Sequence, residues 1–512
     1  MKKLTLLFFI LGIVLTSCNR FDDLSSTDIN NNDAEFAIPI GTASFTIRDL
    51  VGSIGDSTLV LVGPDSTIRL NYRGDLTFED AEGAFFGAIN AALDAFPIAP
   101  IQDTVSTLPW IAPAGIDLDS IRLKSGILTF INFENPLDEE VTVNWRFENA
   151  VSQDTGDTLA GTFIIPPSAD NFTDTIELNR QVLLPLNGEF KFQYNAQIDS
   201  DPNYIVPGLF VAIDSLEFSY AEGVFDNIRY EGAPDIIELE LFDQWVQGDI
   251  FFENPEIKIF SENSFGIPTR ADILFFDVRT VQFGDLPLES PIIDSIDFTF
   301  PTLPDEIGVI ARDTFIFNAE NSNIEDILFG GPQAILYHVD AITNPGSVNP
   351  IRGFITDESF YKFVVEADLP LFGKSIGFEV NDTIAFDFSS FDRVSHAEIK
   401  IVTDNELGLE VETQGYFLNT AGEIIDSLFA NSGAESILTA ADTDADGFVT
   451  GVSTTEIFAP FSAERFTNIR QADRIAITAK FFSPNKGEQS VRVEVDQEVE
   501  IRMGMTFGLN DD

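Results

Sequence analysis

One cysteine, two histidines and three tryptophans in 512 residues leave this chain short of the side chains that most often staple a fold or carry out chemistry. With Cys18 alone, no disulfide can form within the chain, so stability must come from a packed core. His-Glu-x-x-His, Gly-x-Ser-x-Gly and phosphate-loop patterns are all missing, and His338 lies in a strand-like run, Ile335-Leu336-Tyr337-His338-Val339, that reads as structural. Carboxylate pairs for glycoside hydrolysis carry no signal when 84 acids ensure that some pair sits at ~5–10 Å. The chain is therefore expected not to be an enzyme. Positive charge is scarce too: 28 Lys and Arg stand against 84 Asp and Glu, a formal net of −56. That balance excludes nucleic acid as a partner, because phosphate backbones are bound by clustered Lys and Arg. It would also be repelled by anionic headgroups, and it speaks to solubility more than to a site.

What the chain has in quantity is apolar mass, with 44% hydrophobic residues and 49 Phe against 8 Tyr. A sugar platform usually offers Trp or Tyr, which join a flat face to a polar handle, so the Phe bias points to buried packing. Trp110, Trp145 and Trp245 are expected in cores or at edges. From Phe36 onward, short segments alternate apolar and polar residues, as in Val141-Thr142-Val143-Asn144-Trp145-Arg146-Phe147, and turn residues such as Asn135-Pro136 and Asn344-Pro345-Gly346 fall between them. Period-two alternation with such punctuation predicts an all-β fold of antiparallel sandwiches. Helix is expected only over 79–96, where Phe85, Ile89, Leu93 and Phe96 form a stripe, and at Asn323 to Phe329, closed by Gly330-Gly331-Pro332. Length predicts several domains, placed at 36–205, 206–390 and 391–512.

The chain opens with Lys2-Lys3, an apolar run from Leu4 to Leu15, and then Leu15-Thr16-Ser17-Cys18. About 12 apolar residues are too few for a membrane-spanning helix, which needs ~20. The pattern resembles the lipobox of bacterial lipoproteins, which implies a signal peptide over 1–17, lipidation of Cys18 and a polar tether over 18–35. Two or three acyl chains make anchoring effectively permanent. In some Gram-negative envelopes an acidic stretch just after the lipidated Cys accompanies export to the outer face, and Asp22-Asp23 resembles one, although a plain linker reads the same way. The resemblance implies a lipid-anchored protein of the outer membrane, facing the exterior or, as the alternative, the periplasm, and with no catalytic pattern in the chain the expected role is to bind or scaffold an envelope protein or extracellular ligand. A carrier of an apolar ligand such as a lipid is the alternative, and a polysaccharide hydrolase a weaker one. Gly126 to Pro136 is echoed by Gly248 to Pro255 and by Ala397 to Asn405, each a strand followed by an Asn-containing turn. That cadence resembles the late-embryogenesis-abundant type-two, or WHy-like, β-sandwich modules and the β-rich lipoproteins of Gram-negative envelopes.

One segment suggests a cofactor. Asp442-Thr443-Asp444-Ala445-Asp446-Gly447 offers hard oxygen ligands at alternate positions before a sharp turn, the start of a calcium loop. The twelfth position is Ser453 where a bidentate Glu is needed, and Gly447 to Val452 reads as strand instead of helix, so it is not an EF-hand. A looser calcium site using Asp442, Asp444, Asp446 and Glu456 competes with the simpler reading, an Asp-Gly hairpin turn.

Overall fold

The computed structural model describes residues 35–46, 58–78, 99–101, 104–109, 116–185, 189–239, 245–293, 296–346, 351–385, 394–430 and 433–509. Among them the fold is all-β and antiparallel, as the alternation predicts, with three short helices, α1 (Ile324–Ile327), α2 (Ala463–Ile469) and α3 (Pro484–Gly487). The helix expected at Asn323 to Phe329 is α1, and the one expected over 79–96 lies outside the described residues.

Five strands come first: β1 (Glu35–Thr46), β2 (Thr58–Val62), β3 (Ile68–Phe78), β4 (Ala99–Ile101) and β5 (Val105–Pro109). A first sandwich comes next, from β6 (Ile116–Glu134), β7 (Val141–Ser152), β8 (Thr158–Ile165), β9 (Asp170–Glu177), β10 (Gln181–Leu183), β11 (Glu189–Ile198), β12 (Asp201–Tyr204) and β13 (Leu209–Phe225). The middle stretch comprises β14 (Arg229–Tyr230), β15 (Asp235–Glu238), β16 (Trp245–Phe252), β17 (Glu256–Asn263), β18 (Thr269–Thr280), β19 (Gly284–Pro287), β20 (Ile296–Phe298), β21 (Ala311–Phe317), β22 (Pro332–Thr343), β23 (Arg352–Thr356) and β24 (Tyr361–Pro370). The last comprises β25 (Phe372–Ala385), β26 (Val394–Asn405), β27 (Glu410–Leu418), β28 (Ile424–Ser427), β29 (Glu435–Leu438), β30 (Ser453–Phe461), β31 (Arg474–Phe482), β32 (Val491–Arg492) and β33 (Glu498–Leu509).

Strand pairing shows the same six-strand unit three times. One sheet of each unit is ordered β9-β6-β13, β21-β17-β24 or β30-β26-β33. The facing sheet is ordered β8-β7-β11, β20-β18-β22 or β29-β27-β31. Alternation aims one face of each strand inward: on β7, Val141, Val143, Trp145 and Phe147 are buried while Asn144 and Arg146 are exposed. Phenylalanine fills the space between sheets. Phe130 on β6 meets Trp145 at 5.1 Å and Phe163 at 5.0 Å, Phe298 on β20 meets Phe363 at 5.0 Å, and Phe417 on β27 meets Phe461 at 6.1 Å. Each such buried ring stabilises by roughly 1.5–3 kcal/mol relative to an exposed one.

A buried asparagine ends the first strand of each unit. The Oδ1 atoms of Asn135, Asn263 and Asn405 accept the backbone N–H two residues on, from Leu137 (3.1 Å), Phe265 (2.9 Å) and Leu407 (2.9 Å). Their Nδ2 atoms donate to the carbonyl just after the third strand, at Pro166 (2.7 Å), Thr299 (3.0 Å) and Thr439 (2.8 Å). One amide thus ties together two crossovers between the sheets. The cadence at Asn135 and Asn405 marks equivalent positions, whereas Asn254-Pro255 is a different turn, entered at φ +55° between β16 and β17. The second unit's equivalent is Asn263.

The five leading strands belong to all three units, in reverse order. β1 pairs with β33, β3 with β24, and β4 with β13, each time extending the sheet beyond the unit's last strand. The units also share edges: β16 pairs with β25, and β23 with the second half of β13. Strand pairing therefore does not follow the division expected at 36–205, 206–390 and 391–512. β13 closes the first sandwich as far as Phe225, and the residues before 110 are spread over all three.

Replacing Asn135, Asn263 or Asn405 by Ala leaves a buried N–H and a buried C=O without partners, a loss of about 2–6 kcal/mol at 1–3 kcal/mol per group. Thermal unfolding of each variant should fall well below that of the exposed control Asn203→Ala, and Asn→Asp should not rescue, since an ionised carboxylate cannot donate. Equal melting temperatures for the bracket and control variants would remove the bracket's structural role.

Candidate functional site

The Asp442 to Gly447 loop sits where the second and third sandwiches meet. At that seam Ile68 N–H donates to the Val493 carbonyl (3.0 Å), Val493 N–H to Leu371 (2.8 Å) and Leu371 N–H to Ile68 (2.7 Å). The loop is a turn capped by its own side chain. Asp444 Oδ1 accepts the N–H groups of Asp446 (3.0 Å) and Phe448 (2.9 Å), Asp444 N–H donates to the Phe448 carbonyl (2.9 Å), and Gly447 takes φ +85°. The Asp442 carbonyl accepts from Thr450 N–H at 2.8 Å.

The positive charge at this loop belongs to Arg492. Its Nε donates to the Asp446 carbonyl (2.9 Å), its Nη1 to Asp65 Oδ2 (2.8 Å), and its guanidinium lies 3.8 Å from the Phe372 ring centre and 4.8 Å from that of Phe448. Among the described residues no group of three or more Asp, Glu, His or Cys side chains is placed to share a metal ion, and Asp442, Asp444 and Asp446 are not brought together as ligands. Glu456 stands apart on β30, paired with Lys400 at 2.9 Å. The arrangement is that of an acidic turn held by an arginine across a seam.

Asp65 feels the same clamp. Partial burial works to raise its pKa, but hydrogen bonds from the Thr67 hydroxyl and amide, together with the charge of Arg492, outweigh it and hold the carboxyl below its ordinary range. A depressed carboxyl pKa stabilises the fold above the ordinary value of about 3.9, and that contribution is lost as pH falls through the lowered value.

A cleft of about 370 Å³ opens beside the loop, lined by Glu253, Phe372, Lys374, Asp446, Glu488 and Gln489 among others. Ser490 Oγ donates to Glu253 Oε1 at 2.6 Å, a hydroxyl–carboxylate pair with no imidazole beside it. The histidines are elsewhere. His338 Nε2 lies 2.9 Å from the Gly232 carbonyl, next to the buried Asp340, and His396 Nδ1 lies 3.0 Å from Ser395 Oγ. A second cleft of about 800 Å³ lies around the start of α1 and is lined by Leu288, Glu289, Ser290, Asn323 and Asp326 among others. Trp145 is buried in the first core, Trp245 opens β16, and Trp110 and Cys18 lie outside the described residues. Sequence reasoning missed Arg492 and Asp65. The signal that points to them is the rarity of cations in so acidic a chain, which marks each Arg as a candidate seam or clamp.

No protein-family model and no curated protein matches this chain. Among solved structures it is similar to a "putative secreted protein" of Parabacteroides distasonis at 14% identity, over 57% of this chain and 89% of that one, with a TM-score of 0.31. An infectious bursal disease virus structure (Gt strain) aligns at 8% identity over 96% of this chain and 87% of that chain, TM-score 0.14. A Sulfolobus turreted icosahedral virus structure aligns at 12% over 91% and 97%, TM-score 0.13. Superpositions this poor carry no statement about function.

Two outcomes are expected here. Asp444→Ala removes two accepted hydrogen bonds and should cost about 1 kcal/mol, whereas the exposed Asp446 side chain should be replaceable by Ala within about 0.5 kcal/mol. Stabilisation by calcium beyond that by magnesium at matched ionic strength, abolished in Asp444→Asn, would contradict the arginine-held turn. Separately, stability should decline on acidification below about pH 4 less steeply in Asp65→Asn than in the wild type, read as melting temperature against pH.

Proposed function

We propose that this chain is a lipid-anchored protein of the outer membrane, displayed toward the exterior, whose three-sandwich body binds or scaffolds another envelope component or an extracellular ligand without catalysing a reaction. The observation that carries the reading is the run Leu15-Thr16-Ser17-Cys18 behind a basic and apolar leader, with Cys18 the single cysteine of the chain. A thiol placed there is the one atom that can take diacylglycerol. The body's surface repels anionic lipid, so acyl chains and not charge would hold it in place.

The carrier alternative requires Phe side chains around an open space. Phe130, Phe147, Phe190, Phe192, Phe225, Phe265 and Phe317 are fully buried in the core that packs between the sheets. In the cleft near Phe372, the ring is covered by the Arg492 guanidinium. Binding through an outer surface fits these positions better than enclosure of a lipid.

The test is Cys18→Ala in the full chain expressed in a Gram-negative host. Detergent phase partitioning should move the variant from the detergent to the aqueous phase while its far-UV circular dichroism remains that of a β protein. An unchanged detergent-phase fraction would overturn the anchor.

A further inference from the structure

We infer that the protein stands end-on at the membrane, on the end of the third sandwich that holds Glu35, with the Asn135 end of the first sandwich outermost. This rests on the lipid-anchor reading and adds an orientation to it.

The joints set the order. The third sandwich meets the second at the end that carries Asn405: Thr46 pairs with Glu498 there, Asn405 with Val499, and the Ile68–Val493 and Asp65–Arg492 contacts lie beside them. The second meets the first at the end that carries Asn263, where Asn263 pairs with Tyr361, Gly266 exchanges hydrogen bonds with Phe354, and β23 joins β13. Gly266 has no room for a side chain, because the Phe354 ring lies against it. In the first sandwich the joint occupies the opposite end, at Tyr220 to Val224, and among the described residues no further sandwich lies beyond its Asn135 end. The three units therefore run head to tail. β1, β3 and β4 climb this stack in turn, from Glu35 beside Gly508 to Ile101 beside Leu209, and the three units then follow one another in descending order.

An anchor at Cys18 is 17 residues from Glu35, a reach of at most about 60 Å. The strands that run along the three units, β33, β3 and β13, have 12, 11 and 17 residues. At about 3.3 Å per residue this puts the Asn135 end on the order of 100 Å from Glu35. Charge favours the same orientation. Residues 132–142, 163–175 and 197–210, which meet at the Asn135 end, hold eight Asp and Glu and no Lys or Arg. Residues 418–428 and 462–474, which meet at the Glu35 end and include α2, hold three Arg against four acids, a near balance in a chain of net −56. Lying flat would press an acid-only end against anionic lipid, at a cost that standing avoids.

The experiment uses the full lipidated chain in vesicles of phosphatidylcholine and phosphatidylglycerol with a trace of acceptor-labelled lipid. A donor dye is placed on Glu464→Cys, exposed at the start of α2, or on Glu140→Cys, exposed at the far end. Circular dichroism confirms that both variants are folded. Energy transfer to the lipid should be several-fold greater from position 464 than from position 140. Equal transfer from the two, or greater transfer from 140, overturns the orientation while leaving the anchor intact. A folded, acylated protein that does not bind the vesicles overturns the anchor reading and this inference with it.

Discussion

The rest of the fold depends on backbone pairing between the start of the chain and the last strand of each sandwich. Without β1, β3 and β4, the outer edges of β33, β24 and β13 would present rows of unpaired N–H and C=O groups, the liability that natural sheets cover or charge. The cover is supplied in reverse order, so the first strand made waits for the last. Glu35 pairs with Gly508 across almost the whole sequence. Contacts of such long range carry a loop-closure cost before they return any stability, which makes them late events in folding.

The bracket asparagines answer a different difficulty. A chain that crosses from one sheet to the facing one leaves backbone groups inside the end of the sandwich, where no ladder can satisfy them. A carboxamide accepts at Oδ1 and donates at Nδ2, so one side chain can serve an N–H of the first crossover and a carbonyl of the second. Aspartate lacks the donor and alanine lacks both. That requirement explains why Asn135, Asn263 and Asn405 occupy equivalent places although the residues around them have drifted.

Electrostatics is governed by scarcity. Where acids outnumber bases three to one, a cation placed inside the structure can find a partner on every side. Several of the few are spent at seams and buried edges. Arg492 joins the Asp442 to Gly447 loop to the β2–β3 hairpin, Arg69 and Lys258 meet over Asp368, and Arg465 holds Asp426. The exposed pairs among them contribute little singly, while the half-buried ones, hydrogen-bonded as well as charged, fix how elements sit against each other.

Local pattern was enough to read the strands, since alternation such as that of β7 and β26 is decided by which residues can face water. It was enough for α1 and for the Asn-containing turns at Asn135 and Asn405. It misplaced the third bracket at Asn254, because a strand followed by Asn-Pro looks the same whether the Asn is buried between two crossovers or exposed in a simple bend. Arg492 as the partner of the calcium-like loop, the reverse-order climb of β1, β3 and β4, and the head-to-tail joints were decided only in three dimensions. The physical reason is range: side-chain periodicity is a property of neighbours along the chain, whereas β pairing and seam contacts join residues hundreds of positions apart whose own sequences carry no mark of each other.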